Sequence, residues 1–181
     1  MTLGNACGFG QHQPGRYDAR RRGFHEQVLA RCHRHRGGVF LLYRPAKIPG
    51  ELVTEFSHGA SGSQVMVGGR CLQERCLTIV VAPWCPACRR MKGTISALRQ
   101  QVEADGRPVF LVIGMDKPEA LQNYARQHSE TVLLDMNRSF TKRANIRSVP
   151  YFAVTNHKGE IVEEMKGGYD DVREMRRRLG V

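Results

Sequence analysis

The 181-residue chain has no apolar run near the roughly 20 residues needed to cross a bilayer as a helix. The longest apolar piece near its start, Val39-Phe40-Leu41-Leu42-Tyr43, is far too short. It also lacks a charged stub followed by an apolar segment and a small-residue cleavage site. A soluble, unexported chain is therefore the expectation, leaning cytoplasmic. Acidic residues are scarce at one end. Residues 1–50 hold nine basic groups and only two acidic ones, Asp18 and Glu26, in a chain of net charge +11. They also lack clustered hydrophobes, so they cannot build a core, and a basic, disordered arm is expected there, with one short helix over 24–32. Such an arm attracts nucleic acid or anionic lipid through charge alone. Without a periodic basic stripe, no specific nucleic-acid partner is expected. Cys32, His33 and His35 crowd into four positions and cannot easily converge on one ion, which argues against a metal cluster.

The hydrophobes gather instead in residues 51–181, enough for one domain with its own core. Leu77 to Ala82 is a β-branched apolar run that reads as a buried strand. The chain turns at Pro83, passes Trp84, and presents Cys85 and Cys88. From there Met91, Ile95, Leu98 and Val102 fall in a helical stripe that ends near Ala104-Asp105-Gly106, with Gly93 as a place for a bend. Pro86 suits the first turn of that helix, where its missing amide has no helical partner. A Cys-x-x-Cys pair thus sits on the first turn, where unpaired amides and the helix dipole stabilise a thiolate at Cys85. Arg89 and Arg90 could add to this if they turn toward it. Cys88 lies one turn away, within bonding range, so the pair can cycle between dithiol and disulfide.

A structural disulfide and half of a zinc site are the other readings of that spacing. Cys71 and Cys76 complete a four-cysteine set with Cys85 and Cys88, which keeps a non-enzymatic zinc-binding or interaction module as an alternative. A whole strand separates Cys76 from Cys85, however, so a second disulfide or two buried thiols is the simpler reading of the earlier pair.

The other elements follow by pattern. Residues 52–56 and 64–67 read as short strands around a loop, 58–63. Residues 108–113 form a second buried strand. Asp116 and Glu119 suggest a capping box opening a helix lined by Leu121, Tyr124, Ala125 and His128. A third strand covers 131–134 and a short helix 138–144. A strand after Pro150 turns through Asn156-His157-Lys158-Gly159 into residues 160–165. Tyr169, Val172, Met175 and Leu179 stripe a last helix.

The strand, Trp84-Cys85-Pro86-Ala87-Cys88, the helix, and Ser148-Val149-Pro150 together resemble the thioredoxin superfamily over about residues 65–180. The extra helix and strand at 117–135, with Leu133-Leu134-Asp135 and Ala144 to Pro150, is similar to its TlpA/ResA branch of thiol–disulfide oxidoreductases. The resemblance implies an α/β thioredoxin-like fold, a central mixed sheet flanked by helices. It implies Cys85 and Cys88 as catalytic residues, and a substrate site at Trp84, Val149 and a cis Pro150. No cofactor beyond the redox-active cysteine pair is implied. Partners would be protein thiol or disulfide substrates and an upstream reductase or oxidant, in cell redox homeostasis.

Two departures stand out. Ile79 occupies the place where thioredoxins bury a proton-accepting aspartate, so proton transfer must use water or another group. The TlpA/ResA branch is usually extracytoplasmic, against the missing leader. Gly167-Gly168-Tyr169-Asp170-Asp171 resembles the glutathione-binding segment of glutaredoxins, which makes a glutathione-dependent oxidoreductase the second enzymatic reading. Peroxiredoxins need a threonine where Ala82 stands, and that reading is rejected.

Overall fold

The computed structural model describes residues 45–181. Most of the expected arm, including the helix over 24–32 and the Cys32 group, lies outside the described residues. The last residues of the expected arm contact the domain. Ile48 is 2% exposed, its amide bonds the Gly159 carbonyl at 3.2 Å, and Lys47 pairs with Glu160. A lone isoleucine between lysine and proline gives no periodic signal, so only its burial reveals this contact.

Strands β1 (Glu51–Ser57) and β2 (Ala60–Val67) form a hairpin. Its turn is His58-Gly59 alone, with φ of 50° and 79°, the two-residue type whose twist matches that of the strands. Residues 60–63, expected as loop, therefore continue the strand, with Ser57 opposite Ala60 and Phe56 opposite Ser61.

Strand β3 (Cys76–Val81) is buried at every position. It lies between β4 (Val109–Ile113), parallel to it, and β6 (Tyr151–Thr155), antiparallel. A strand covered on both faces needs a continuous apolar sequence, as this one has. With β5 (Val132–Leu134) and β7 (Ile161–Lys166) the strands form one mixed seven-stranded sheet, ordered β2-β1-β5-β4-β3-β6-β7. The helices are α1 (Pro86–Arg90), α2 (Lys92–Ala104), α3 (Pro118–Ala125), α4 (Ser139–Arg143) and α5 (Val172–Leu179).

Alternate side chains of a strand fall on opposite faces. Leu77, Ile79 and Val81 of β3 pack with Met91, Leu98, Leu121 and Met175 on one face. Val80 packs with Ile48, Phe140 and Ile146 on the other. This is an α/β fold, a mixed sheet flanked by helices.

Two local expectations change. The helix after Cys88 steps at Met91, not at Gly93, where a Cβ would meet open space. Met91 is 1% exposed and its Sδ accepts from the Tyr169 amide at 3.2 Å, so the core pins the backbone there. The capping box does not form. Lys117 caps α3, with Pro118 in its first turn, while Asp116 Oδ1 accepts from the Lys117 amide at 2.8 Å. Pro118 sets the helix start one residue later than Asp116 needs for Glu119 to reach back.

Behind the loop that follows β4, Asp135 is 1% exposed and accepts from the amides of Phe140 (3.1 Å) and Thr141 (2.9 Å) and from Thr141 Oγ1 (2.8 Å). It fastens the start of α4 to the end of β5. Gly114 packs on this knot, where a Cβ would stand 3.2 Å from Thr141 Cγ2 and 3.3 Å from Asp135 Cβ.

Candidate active site

Buried β3 ends at Val81, and the turn after it delivers Cys85 to the position just before α1. The Cys85 amide bonds the Ala82 carbonyl at 3.1 Å, closing the turn. Pro86 occupies the first helical turn, as expected. Cys85 Sγ accepts from the Cys88 amide at 3.2 Å, and its thiol donates to the Val149 carbonyl at 3.5 Å. The Val149–Pro150 peptide bond is cis. Cys85 and Cys88 are both free thiols, 3% and 0% exposed. The chain therefore brings Cys85, Cys88, Val149 and Pro150 together across a sequence gap of more than sixty residues.

Trp84 is 52% exposed, with its indole Nε1 donating to the Met115 carbonyl at 3.0 Å. The bond fixes the ring beside the cysteines, and Met115 takes φ of 63° at this bend. Arg89 does not reach the sulfur. Its guanidinium donates to the Pro83 carbonyl at 2.7 Å, and Arg90 is exposed. The donor to Cys85 Sγ is thus the backbone amide of Cys88, not a guanidinium.

Burial pushes the Cys88 thiol up to about 12, and its hydrogen bond with Cys85 and the charge there push the same way. Ile79 is fully buried in the same core cluster as Cys88 and offers no carboxylate. Tyr124, read from sequence only as part of an apolar helix face, belongs to this cluster too. Its phenol is raised to about 12, by burial first and then by Cys88 and Cys85. It stays protonated at neutral pH and cannot act as a base. Its spacing with Leu121 and Ala125 is that of any core helix, so no sequence signal marked it.

His128 lies just beyond α3. Its side chain is 3% exposed, its ring stands edge-on to Tyr124 at 5.2 Å, and neither ring nitrogen makes a hydrogen bond, the Glu130 carboxylate standing 3.9 Å from Nδ1. Burial, then the charge of Lys92, hold its pKa below the usual histidine value. The imidazole is a neutral packing group.

Cys71 and Cys76 form a disulfide with their Cα atoms 5.7 Å apart. It lies at the start of β3, and Cys85 lies beyond the other end. Six residues of strand span about 20 Å at ~3.3 Å each. The four cysteines therefore do not converge, and the zinc site proposed for Cys71, Cys76, Cys85 and Cys88 is corrected to a disulfide plus a separate thiol pair. Among the described residues, no group of three or more His, Cys, Asp or Glu side chains could hold a metal. Nor is any described helix long and apolar enough to cross a membrane.

The family model described as "Thioredoxin-like domain" matches residues 71–180. No curated protein matches the chain significantly. Among solved structures, a putative thiol:disulfide interchange protein DsbE from Chlorobium tepidum superposes with a TM-score of 0.58 at 16% identity, covering 76% of this chain and 96% of that one. StoA from Bacillus subtilis gives 0.55 at 16% identity, covering 74% of this chain and 98% of that one. The thioredoxin domain of a thiol-disulfide oxidoreductase from Bacteroides vulgatus gives 0.56 at 14% identity, covering 76% and 99%. At such identities the likeness is one of fold.

Proposed function

The chain belongs to the thioredoxin-like domain family, and on that premise we propose that it is a thiol–disulfide oxidoreductase acting on protein disulfides through Cys85 and Cys88. One observation carries the reading. A single sulfur, Cys85 Sγ, lies 3.2 Å from the Cys88 amide and 3.5 Å from the Val149 carbonyl, between its resolving partner and the carbonyl that precedes the cis proline.

The Cys85 thiolate attacks one sulfur of a substrate disulfide. A Cys85–substrate bond forms, the substrate bond breaks, and the other substrate sulfur leaves and takes a proton from water. Cys88 then gives its proton to water and attacks Cys85 Sγ. A Cys85–Cys88 disulfide forms and the second substrate sulfur leaves, so two electrons pass to the substrate.

The perturbation of Cys88 suits this order. Two of the causes that raise its pKa come from Cys85. In the mixed disulfide Cys85 carries no charge, so Cys88 ionises more readily at the step that needs it. The steps call on sulfur and solvent alone, and no metal or organic cofactor is required. Run backwards, the same steps oxidise a dithiol, and an upstream reductase or oxidant resets the pair.

Val149 and Pro150 supply the edge on which the substrate backbone lies, and Trp84 shapes the mouth. We place the domain in an extracytoplasmic, oxidising compartment, where a disulfide such as Cys71–Cys76 persists. The test is capture. Cys88→Ser should retain the attacking sulfur and accumulate a mixed disulfide with an oxidised substrate on non-reducing electrophoresis, whereas Cys85→Ser should capture none. A folded Cys88→Ser protein that forms no adduct would remove Cys85 from the role of nucleophile.

A further inference from the structure

The redox steps leave unused an open cleft of about 590 Å³ beside the Val149 edge. Its floor is apolar, formed by Ile146 and Tyr151, which pack on the sheet face opposite Cys88. Its rim is cationic, with Lys47, Arg143, Arg147 and Lys166. One carboxylate lines it, Glu164, and that group is engaged by Lys166 Nζ at 3.1 Å and the Tyr151 hydroxyl at 3.1 Å.

Most of the rim is already compensated. Arg143 pairs with Glu51 at 2.9 Å, and Lys47 with Glu160 at 3.5 Å. Arg147 differs. It is exposed, makes no ion pair among the described residues, and its Nε donates to the neutral Asn145 Oδ1 at 2.9 Å. It stands two residues before Val149 in the bend that precedes β6, so the two Cα atoms are at most about 7 Å apart. A polypeptide whose sulfur sits at Cys85, lying along Ser148 and Val149, therefore passes Arg147 within a few residues of its own cysteine.

We propose that Arg147, at the head of this cleft, selects protein disulfides whose cysteine is flanked by acidic residues. The proposal rests on the reading of Cys85 and Cys88 as the redox pair, and names the substrate class of that same site. Charge complementarity argues for an acidic polypeptide, because the one cation of the cleft rim with no ion pair among the described residues lies on the backbone edge the substrate follows. Arg147 is a specificity residue and takes no part in the sulfur chemistry. An exposed ion pair contributes little and is screened by salt, so the effect should appear in kcat/KM and depend on ionic strength.

The test uses the full chain and two disulfide-linked peptides, identical except for Glu or Gln within three positions of the cysteine. The quantity read is the ratio of kcat/KM for the two. At low salt the wild-type ratio should be about fivefold in favour of the Glu peptide, and about 0.5 M salt should bring it toward one. Arg147→Glu should lower the ratio to one or below, and Arg147→Lys should keep most of the preference. A wild-type ratio of one with both peptides reduced overturns the acidic selectivity and leaves the redox reading standing. An acidic preference that survives unchanged in Arg147→Glu also overturns the role of Arg147. Reduction of neither peptide overturns the redox reading, and this proposal falls with it.

Discussion

The ionisation of Cys88 is the property most open to direct measurement. With its pKa raised to about 12, roughly one molecule in 10⁵ carries a Cys88 thiolate at pH 7. An ordinary thiol with a pKa of ~8.5 is about 3% ionised at that pH, some thousandfold more. Alkylating reagents attack the thiolate, and a more basic thiolate is the better nucleophile, so reduced native protein should lose Cys88 to iodoacetamide about a hundredfold more slowly than protein unfolded in urea. Its complete burial adds to the protection. The causes can then be separated. Cys85→Ala removes both the hydrogen bond and the charge contributed by Cys85, but leaves burial, the largest cause, in place. Cys88 in that variant should titrate below about 12 yet remain above the ordinary thiol range. Mass spectrometry of the modified peptide over a pH series gives both apparent values. A native Cys88 that titrates like an ordinary thiol would refute the reasoning, and so would a Cys85→Ala variant indistinguishable from wild type.

Two predictions concern the frame around the site. Asp135→Ala strips three donors of their buried acceptor and should cost about 3 kcal/mol, lowering Tm by roughly 10 °C. Denaturant melts should show it, and a loss under about 1 kcal/mol would show that the knot is incidental. His128, buried with Lys92 and Arg99 raising the cost of its charge and Glu130 lowering it, titrates in the fold below its usual range. Above that range both states are neutral and its contribution is fully present. As pH falls through the usual histidine range, the unfolded chain takes up a proton first and stability declines, until the folded pKa is passed. The urea midpoint should therefore fall between pH 8 and 5 more steeply in wild type than in His128→Phe, and equal slopes would show that another group is responsible.

Local chemistry is legible in one dimension wherever neighbours in sequence are neighbours in space. The continuous apolar run at residues 77–82 foretold a strand covered on both faces, and the stripe from Met91 to Val102 foretold the helix face that packs on it. Cys85 and Cys88 share one helical turn, so their hydrogen bond needed no long-range information. Turn details were less legible. His58 gives no sign in sequence that it will take positive φ, and the tight turn it makes converts the expected loop at 60–63 into strand.

What the sequence determined by itself is the set of local rules: the periods of the apolar residues, proline at the helix start, and two thiols one turn apart. These follow from backbone geometry within a few residues. Only the tertiary structure decided what meets at the site. It brought the Val149 carbonyl to Cys85 and a tyrosine into the cluster of a buried thiol. It separated Cys71 and Cys76 from Cys85 and Cys88 along a strand, ending the four-cysteine site. It left Arg147 without a carboxylate among the described residues, at the edge of a basic cleft. Such encounters depend on which strands pair and which faces bury, and burial and charge in turn set what each group does. They arise only when the whole chain has folded, because the residues involved share no local pattern.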